Sequence, residues 1–445
     1  MKFGKKSALA LMLAGLTAVS ITCGAGCTTA SEKYPEYADD KSMWIGGWDV
    51  PMNTKADYQM AKDMGLTHMF IDNIFAKKGS EEYFQQLKYC EEVGLKAIVG
   101  MDTSLENTAG VPLDETDYSK YPAVDMINVW DEPYYNVFDE CAARIDRLNE
   151  IYDNKMTLYV NQNPQNPLSS TSLTSAEDFL QKAYDELLSK MHGRKIFSTD
   201  VYPLLEKYGS YELDTRWLSL METYANFTKR YKSEGAEFHM FIQTYSDNGR
   251  RDVLSKADIT FQVYTDMAFG INGFTYFTYR KSFLSGFGGG CVENDVSCKP
   301  TDTYYWAQEV NEEINKFDHV YLSFDWNGVM GLNGTNNTAD DPEYENASFN
   351  FATPLENLDC AKKVSATEDT LIGQFKDSEG RDGLIVTNFS EPTTGLRDVV
   401  SFEFKNANRA IVYRNGERKI YEVKNNKLDL KLDCGEGVFV IPVKV

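Results

Sequence analysis

Apolar runs of strand length recur along the first two thirds of the chain, and the stretches between them carry helical periodicity. The runs are Met43–Gly47, His68–Asn73, Lys96–Met101, Met126–Asp131, Met156–Asn161, Lys195–Asp200, Glu237–Gln243 and Gly273–Thr278. Helical spacing is clearest over Glu81–Val93 and Val137–Tyr152, and Thr303–Phe317 reads as the last helix of the series. Gly65, Gly94, Gly235 and Gly270 each stand just before a run, where glycine supplies the left-handed turn that ends a helix and returns the chain to a sheet. Eight strands alternating with helices predict an α/β fold, a closed (β/α)8 TIM barrel. The runner-up is an open doubly wound sheet, but no Gly-rich phosphate loop follows the first strand.

After residue 320 the texture changes. Thr370–Lys376, Gly383–Asn388, Val399–Phe404, Ala410–Tyr413, Lys419–Val423, Lys427–Leu432 and Gly437–Val443 are short strands punctuated by turns such as Asn415-Gly416 and Asn425-Asn426. They predict a small antiparallel β-sandwich over 321–445, behind a barrel over 42–320. The Asn- and Asp-rich segment from Asn333 to Asp341 reads as a solvated loop, with a calcium site the less favoured reading.

The start of the chain is not part of the fold. Lys2, Lys5 and Lys6 precede an apolar run, Ser7–Ile21, too short to span a bilayer. Gly24-Ala25-Gly26-Cys27 follows and resembles the lipobox of bacterial lipoproteins, which implies a signal peptide over 1–27, lipidation at Cys27 and a polar tether over 28–41. The alternative is an ordinary secretory signal cut near Ala30. Either reading exports the mature chain, and the first tethers it to the outer face of a bacterial membrane. Of the remaining cysteines, Cys291 and Cys298 share one Gly-rich loop and could pair. No Cys/His spacing suits zinc and no motif calls for a cofactor. A net charge of −22 argues against a nucleic-acid partner, because phosphate binding needs a basic surface.

Chemistry is expected where the strands end. There the chain places Trp44 and Trp48, Asp72, Asp102, Asp131-Glu132, Asn161, Asp200 with Tyr202, Gln243 with Tyr245, and Tyr276. Carboxylates, amides and aromatics on one rim suit a ligand with many hydroxyls, since sugar rings stack on Trp and Tyr. Asp131 and Glu132 stand out. Adjacent acids after a buried apolar strand are costly unless used. Cleavage of a glycosidic bond needs a carboxylic acid of raised pKa and a second group at the anomeric carbon. Glu132 is the candidate acid, and Asp131, if ionised, raises its pKa.

Trp130-Asp131-Glu132-Pro133 resembles the Asn-Glu-Pro that carries the acid/base at the fourth strand of clan A glycoside hydrolases, family 42 in particular. Ser198-Thr199-Asp200-Val201-Tyr202-Pro203 and the segment Ala268–Phe277 resemble their sixth-strand turn and their approach to the eighth strand. The clan's nucleophilic Glu at the end of the seventh strand is replaced here by Gln243. The Asp-Glu pair looks instead like families 18, 20 and 123, where the substrate's own 2-acetamido oxygen attacks. That resemblance implies that Asp131 orients the acetamido group, Glu132 protonates the leaving oxygen and Tyr202 binds the acetamido. Two rivals stay open: a two-carboxylate glycosidase pairing Glu132 with Asp200 on plain hexosides or pentosides, and a non-catalytic carbohydrate-binding surface lipoprotein.

Overall fold

The computed structural model describes residues 33–100, 113–163, 175–283, 285–336 and 349–445. Cys27 with the other residues up to 32, Asp102 and residues 337–341 lie outside them. Met1–Pro35 separates as a unit of its own, of which only 33–35 are described; Glu36–Val445 is the second unit, and all that follows concerns it.

Eight parallel strands close a barrel: β1 (Trp44–Gly47), β2 (His68–Phe70), β3 (Lys96–Val99), β4 (Val124–Asp131), β5 (Thr157–Gln162), β6 (Lys195–Thr199), β7 (Ala236–Gln243) and β8 (Gly273–Phe277). They pair in chain order, and β8 returns to β1 with Trp44 opposite Gly273. Among the described residues the helices outside it are α1 (Lys55–Asp63), α2 (Glu81–Val93), α3 (Phe138–Ile151), α4 (Ala176–Glu186), α5 (Leu218–Arg230), α6 (Lys256–Ala268) and α7 (Asp302–Ile314), with one short turn of helix at Asp318–Tyr321 after them. Among the described residues only a 3₁₀ turn, Tyr118–Lys120, stands between β3 and β4.

Local chemistry explains these boundaries. Thr54 and Asp57 form a reciprocal capping box at the start of α1, and Gly94, at φ 76°, ends α2 in the left-handed conformation that a side chain disfavours. The barrel interior is a packed core of Trp44, Phe70, Ile98, Met126, Tyr159, Ile196 and Phe241, not a pore.

Beyond the barrel, an antiparallel six-stranded sheet and a three-stranded sheet enclose an apolar core that includes Ile372, Val386, Val400, Phe402, Val412 and Val440. All seven expected strands are present, joined by Phe324–Leu332 and Ala361–Ser365, which the turn-like Trp326-Asn327-Gly328 and a stretch of polar residues concealed. The fold is a (β/α)8 barrel followed by a β-sandwich. Helix α6 is buried along nearly its whole length, lying between β7 of the barrel and the six-stranded sheet. Cys291 and Cys298 are both free thiols, so the pairing considered for them is not formed.

Candidate active site

The site grows from an irregularity in β4. Met126 belongs to the barrel interior, and simple alternation from it would turn Trp130 inward and Asp131 outward. The register against β5 shifts between Asn128 and Trp130, so one extra residue is accommodated there. The bulge reverses the pattern beyond it. Trp130 lies outside, under the guanidinium of Arg144 of α3 at 4.9 Å, and Asp131 pairs across to Asn161 of β5. Glu132 follows in the left-handed region, at φ 48°, its N–H donating to the Asn161 carbonyl at 2.9 Å. A non-glycine held at positive φ costs free energy, and such positions gather at functional sites.

Asn161 organises the carboxylates. Its Nδ2 donates to Asp131 Oδ1 at 3.2 Å and to Asp200 Oδ1 at 3.0 Å. Its Oδ1 accepts from Ser198 Oγ at 3.0 Å, and Ser198 Oγ lies 2.6 Å from Tyr159 OH, which fixes which way the amide faces. Asp200, at the end of β6, also accepts from Tyr202 and from Glu132. Burial and the charges of Asp200 and Asp131 lift the pKa of Glu132 well above the carboxylate range. Glu132 is therefore the protonated partner and donates to Asp200. Burial raises Asp200 too, opposed by the bonds it accepts from Glu132, Asn161 and Tyr202. Asp131 turns its surface to the open mouth while protein packs around it elsewhere; this surround, with Asp200 beside it, pushes its pKa up to about 7. The arrangement holds one carboxyl with its proton and one solvent-facing carboxylate that ionises near neutrality.

An aromatic wall stands beside the acids. Tyr202 packs against Tyr245 and Phe277 with ring centroids 4.8 and 5.5 Å apart, and Trp48 meets Phe241 and Phe277 at 5.5 and 6.2 Å. Tyr245, which follows the seventh strand, was an expected rim residue; Phe277 and Arg250 were not. Neither was Asp49, at the end of β1: it sits at φ 69°, only 9% exposed, with no hydrogen-bond partner among the described residues. Burial, opposed by Arg280, lifts its pKa to about 7. No local sequence signal marks Asp49; its interest lies in backbone conformation and burial, which appear only in three dimensions.

Four expected ligand contacts are corrected by their positions. Trp44 opens β1 and so lies at the closed, N-terminal end of the barrel, 4.9 Å from the ring of His68 and 4.3 Å from that of His239. Asp72 is fully buried and accepts from the N–H groups of Ile74 and Val50, at 2.9 and 3.4 Å. Gln243 is also fully buried: Oε1 accepts from Leu204 N at 3.0 Å, and Nε2 donates to the carbonyls of Leu204, Tyr245 and Arg251. It ties loops together and has nothing left for a ligand. Tyr276 points outward from β8 and donates to Asn311 of α7 at 2.8 Å, while its neighbour Phe277 faces the mouth. Among the described residues no group of three His, Cys, Asp or Glu side chains is arranged to hold a metal ion.

This architecture, a closed parallel (β/α)8 barrel with a β-domain after it, is a fold shared with proteins of known structure. The solved structures it resembles include a candidate α-galactosidase from Bacteroides fragilis, at 10% identity and a TM-score of 0.50, covering 91% of this chain and 80% of that one. They also include a family 42 β-galactosidase from G. stearothermophilus, at 10% identity and a TM-score of 0.49, covering 90% and 98%, and a family 27 β-L-arabinopyranosidase from Geobacillus stearothermophilus, at 11% identity and a TM-score of 0.48, covering 91% and 97%. Such identities speak to the fold alone. No protein-family model matches the chain, and no curated protein does.

Proposed function

We propose that this protein is a glycoside hydrolase in which Glu132 is the general acid, and that it is exported and held at the membrane through Cys27. The carrying observation is the cluster of Glu132 with Asp131 and Asp200 at the ends of β4 and β6, where burial and the two neighbouring carboxyl groups raise the pKa of Glu132. Glu132 gives that proton to the leaving oxygen as the glycosidic bond breaks. Asp200 is bonded directly to Glu132, whereas a carboxyl pair flanking a sugar stands about 5–5.5 Å apart in retaining enzymes and about 6.5–9.5 Å in inverting ones. Asp200 therefore tunes the acid and does not pair with it across the sugar. Asp131, facing the mouth, is the carboxylate available to the substrate.

The strand that carries a nucleophile in clan A ends here in Gln243, with its polar atoms spent on the backbone. This favours attack by a 2-acetamido group of the substrate, with Asp131 orienting it and Tyr202 beside it, and so hydrolysis at an N-acetylhexosamine. The test is hydrolysis of matched aryl glycosides with and without a 2-acetamido group. Glu132→Gln should lower kcat by about 10²–10⁴ on poor leaving groups, the range for one positioned acid, and by much less on dinitrophenyl leaving groups, which need no proton. Equal losses on both, or turnover of the plain sugars only, would sink the reading.

A further inference from the structure

Beside the acids lies a cleft of about 540 Å³ that the chemistry above does not use. Tyr202, the residue that donates to Asp200, lines it, so the cleft adjoins the acid cluster. One wall is a hairpin inserted after β6, Leu204–Lys207 paired with Ser210–Leu213. Its turn residues Tyr208 and Gly209 lie at φ 53° and 82°, the left-handed pair that matches the twist of a tight hairpin. The hairpin is pinned to the opposite loop: Glu206 N donates to Gly249 O at 3.0 Å and Arg251 N to Leu204 O at 3.1 Å. Arg250 is thereby fixed between two anchored neighbours and faces the cleft. Phe287 supplies an apolar surface at the other side, stacked on Tyr245 at 5.6 Å.

The cations of the cleft differ in what they have left to give. Lys207 is engaged by Glu212 at 3.0 Å, and Arg216 grips Asp214 through two nitrogens. Arg250 commits only NH1, to Asp247 at 2.7 Å. Its NH2 has no partner among the described residues, and its Nε is buried without an acceptor. The guanidinium lies 5.5 Å over the ring of Tyr202 and 5.7 Å over that of Tyr245, which hold its plane and keep water from one face. A planar, partly desolvated guanidinium with donor capacity to spare is the arrangement that recognises an anionic oxygen group. A sugar ring beside it would find Tyr202 and Phe287 for its apolar faces.

We propose that this cleft is the subsite for the leaving-group sugar, and that Arg250 selects a sugar bearing a carboxylate or a sulfate. The inference rests on the hydrolase reading and narrows its substrate to an N-acetylhexosamine linked to an acidic sugar. Arg250 is a specificity residue; it carries no step of the reaction.

The probes are four: an aryl N-acetylhexosaminide, N-acetylhexosaminyl-glucose, N-acetylhexosaminyl-glucuronate, and N-acetylhexosaminyl-glucose 6-sulfate. Wild type is expected to favour the acidic disaccharides over the neutral one in kcat/KM. Arg250→Gln should collapse that preference by about 10–100-fold, the range for one charge-assisted hydrogen bond, while Arg250→Lys restores part of it. The glucuronate and the sulfate arms tell which anion the site takes. No preference in wild type, or the same loss on neutral and acidic disaccharides in Arg250→Gln, overturns the subsite. Failure to cleave even the aryl glycoside counts against the hydrolase reading instead. Calorimetric binding of the uncleaved disaccharides to wild type and to Arg250→Gln then decides the subsite: equal binding of neutral and acidic sugars refutes it. A thermal melt of each variant separates loss of recognition from loss of fold.

Discussion

Asn161 is the sharpest place to test the acid cluster, because one amide nitrogen serves two carboxylates. Replacement by alanine deletes the bonds to Asp131 and Asp200, at 3.2 and 3.0 Å, and touches neither carboxyl chemically. A hydrogen bond to a charged group is worth about 1.5–3 kcal/mol, and about 1.4 kcal/mol corresponds to one pH unit of pKa. Asp131 faces solvent at the mouth, so the lower end applies to it. A carboxylate that loses a donor holds its proton more tightly and needs a higher pH to ionise. The acid limb of the kcat/KM profile, which in wild type should follow Asp131 near pH 7, is therefore expected to move up by about one unit in Asn161→Ala. The limb on the alkaline side belongs to the Glu132–Asp200 pair, whose proton is held at least as tightly without Asn161, so it should not move down. The profile narrows from the acid side, and kcat/KM at pH 6 falls about tenfold further than at pH 8.5. A uniform loss at every pH would mean that Asn161 merely shapes the pocket. An acid limb moving to lower pH would refute the assignment of Asp131 as the group that must ionise.

Two further outcomes check the placement of Gln243 and of Asp49. Gln243→Glu should not create a nucleophile: the side chain sits among the carbonyls of Leu204, Tyr245 and Arg251, so a carboxylate there should lower the melting temperature and leave turnover of plain glycosides unimproved; a gain in such turnover would contradict the placement. Asp49→Asn should stabilise the protein at pH 8 by at most about 4 kcal/mol, from a pKa displaced from 3.8 to about 7. A carboxyl raised in the folded state opposes folding once pH exceeds its unfolded value, so the difference should vanish near pH 3 and be complete above pH 7; a constant difference across pH, read by chemical denaturation, would show that the carboxylate is not the cause.

The barrel was legible because its signals repeat: eight apolar runs, each returning the chain to the sheet, several announced by a helix-ending glycine such as Gly94. The acids were legible at the level of the cluster, since two adjacent carboxyls after an apolar strand have few inexpensive explanations, and the structure brings Asp131, Glu132 and Asp200 around one asparagine. What escaped lies below the resolution of a strand assignment. Tyr276 and Phe277 exchange roles through one step of the pleat, and the bulge at β4 turns Asp131 inward where regular alternation would turn it out. Trp44 and Trp48 stand four residues apart at opposite ends of one strand, one in the floor and one near the mouth. Gln243 occupies the expected position, but its partners come from Leu204, distant in sequence, and from the loop that follows it, at Tyr245 and Arg251. Periodicity specifies which face of an element is buried; it does not say which buried polar group already has its partners. That distinction separates a residue that holds the rim together, such as Gln243, from one that leaves chemistry free for a ligand, such as Asp131 or Arg250.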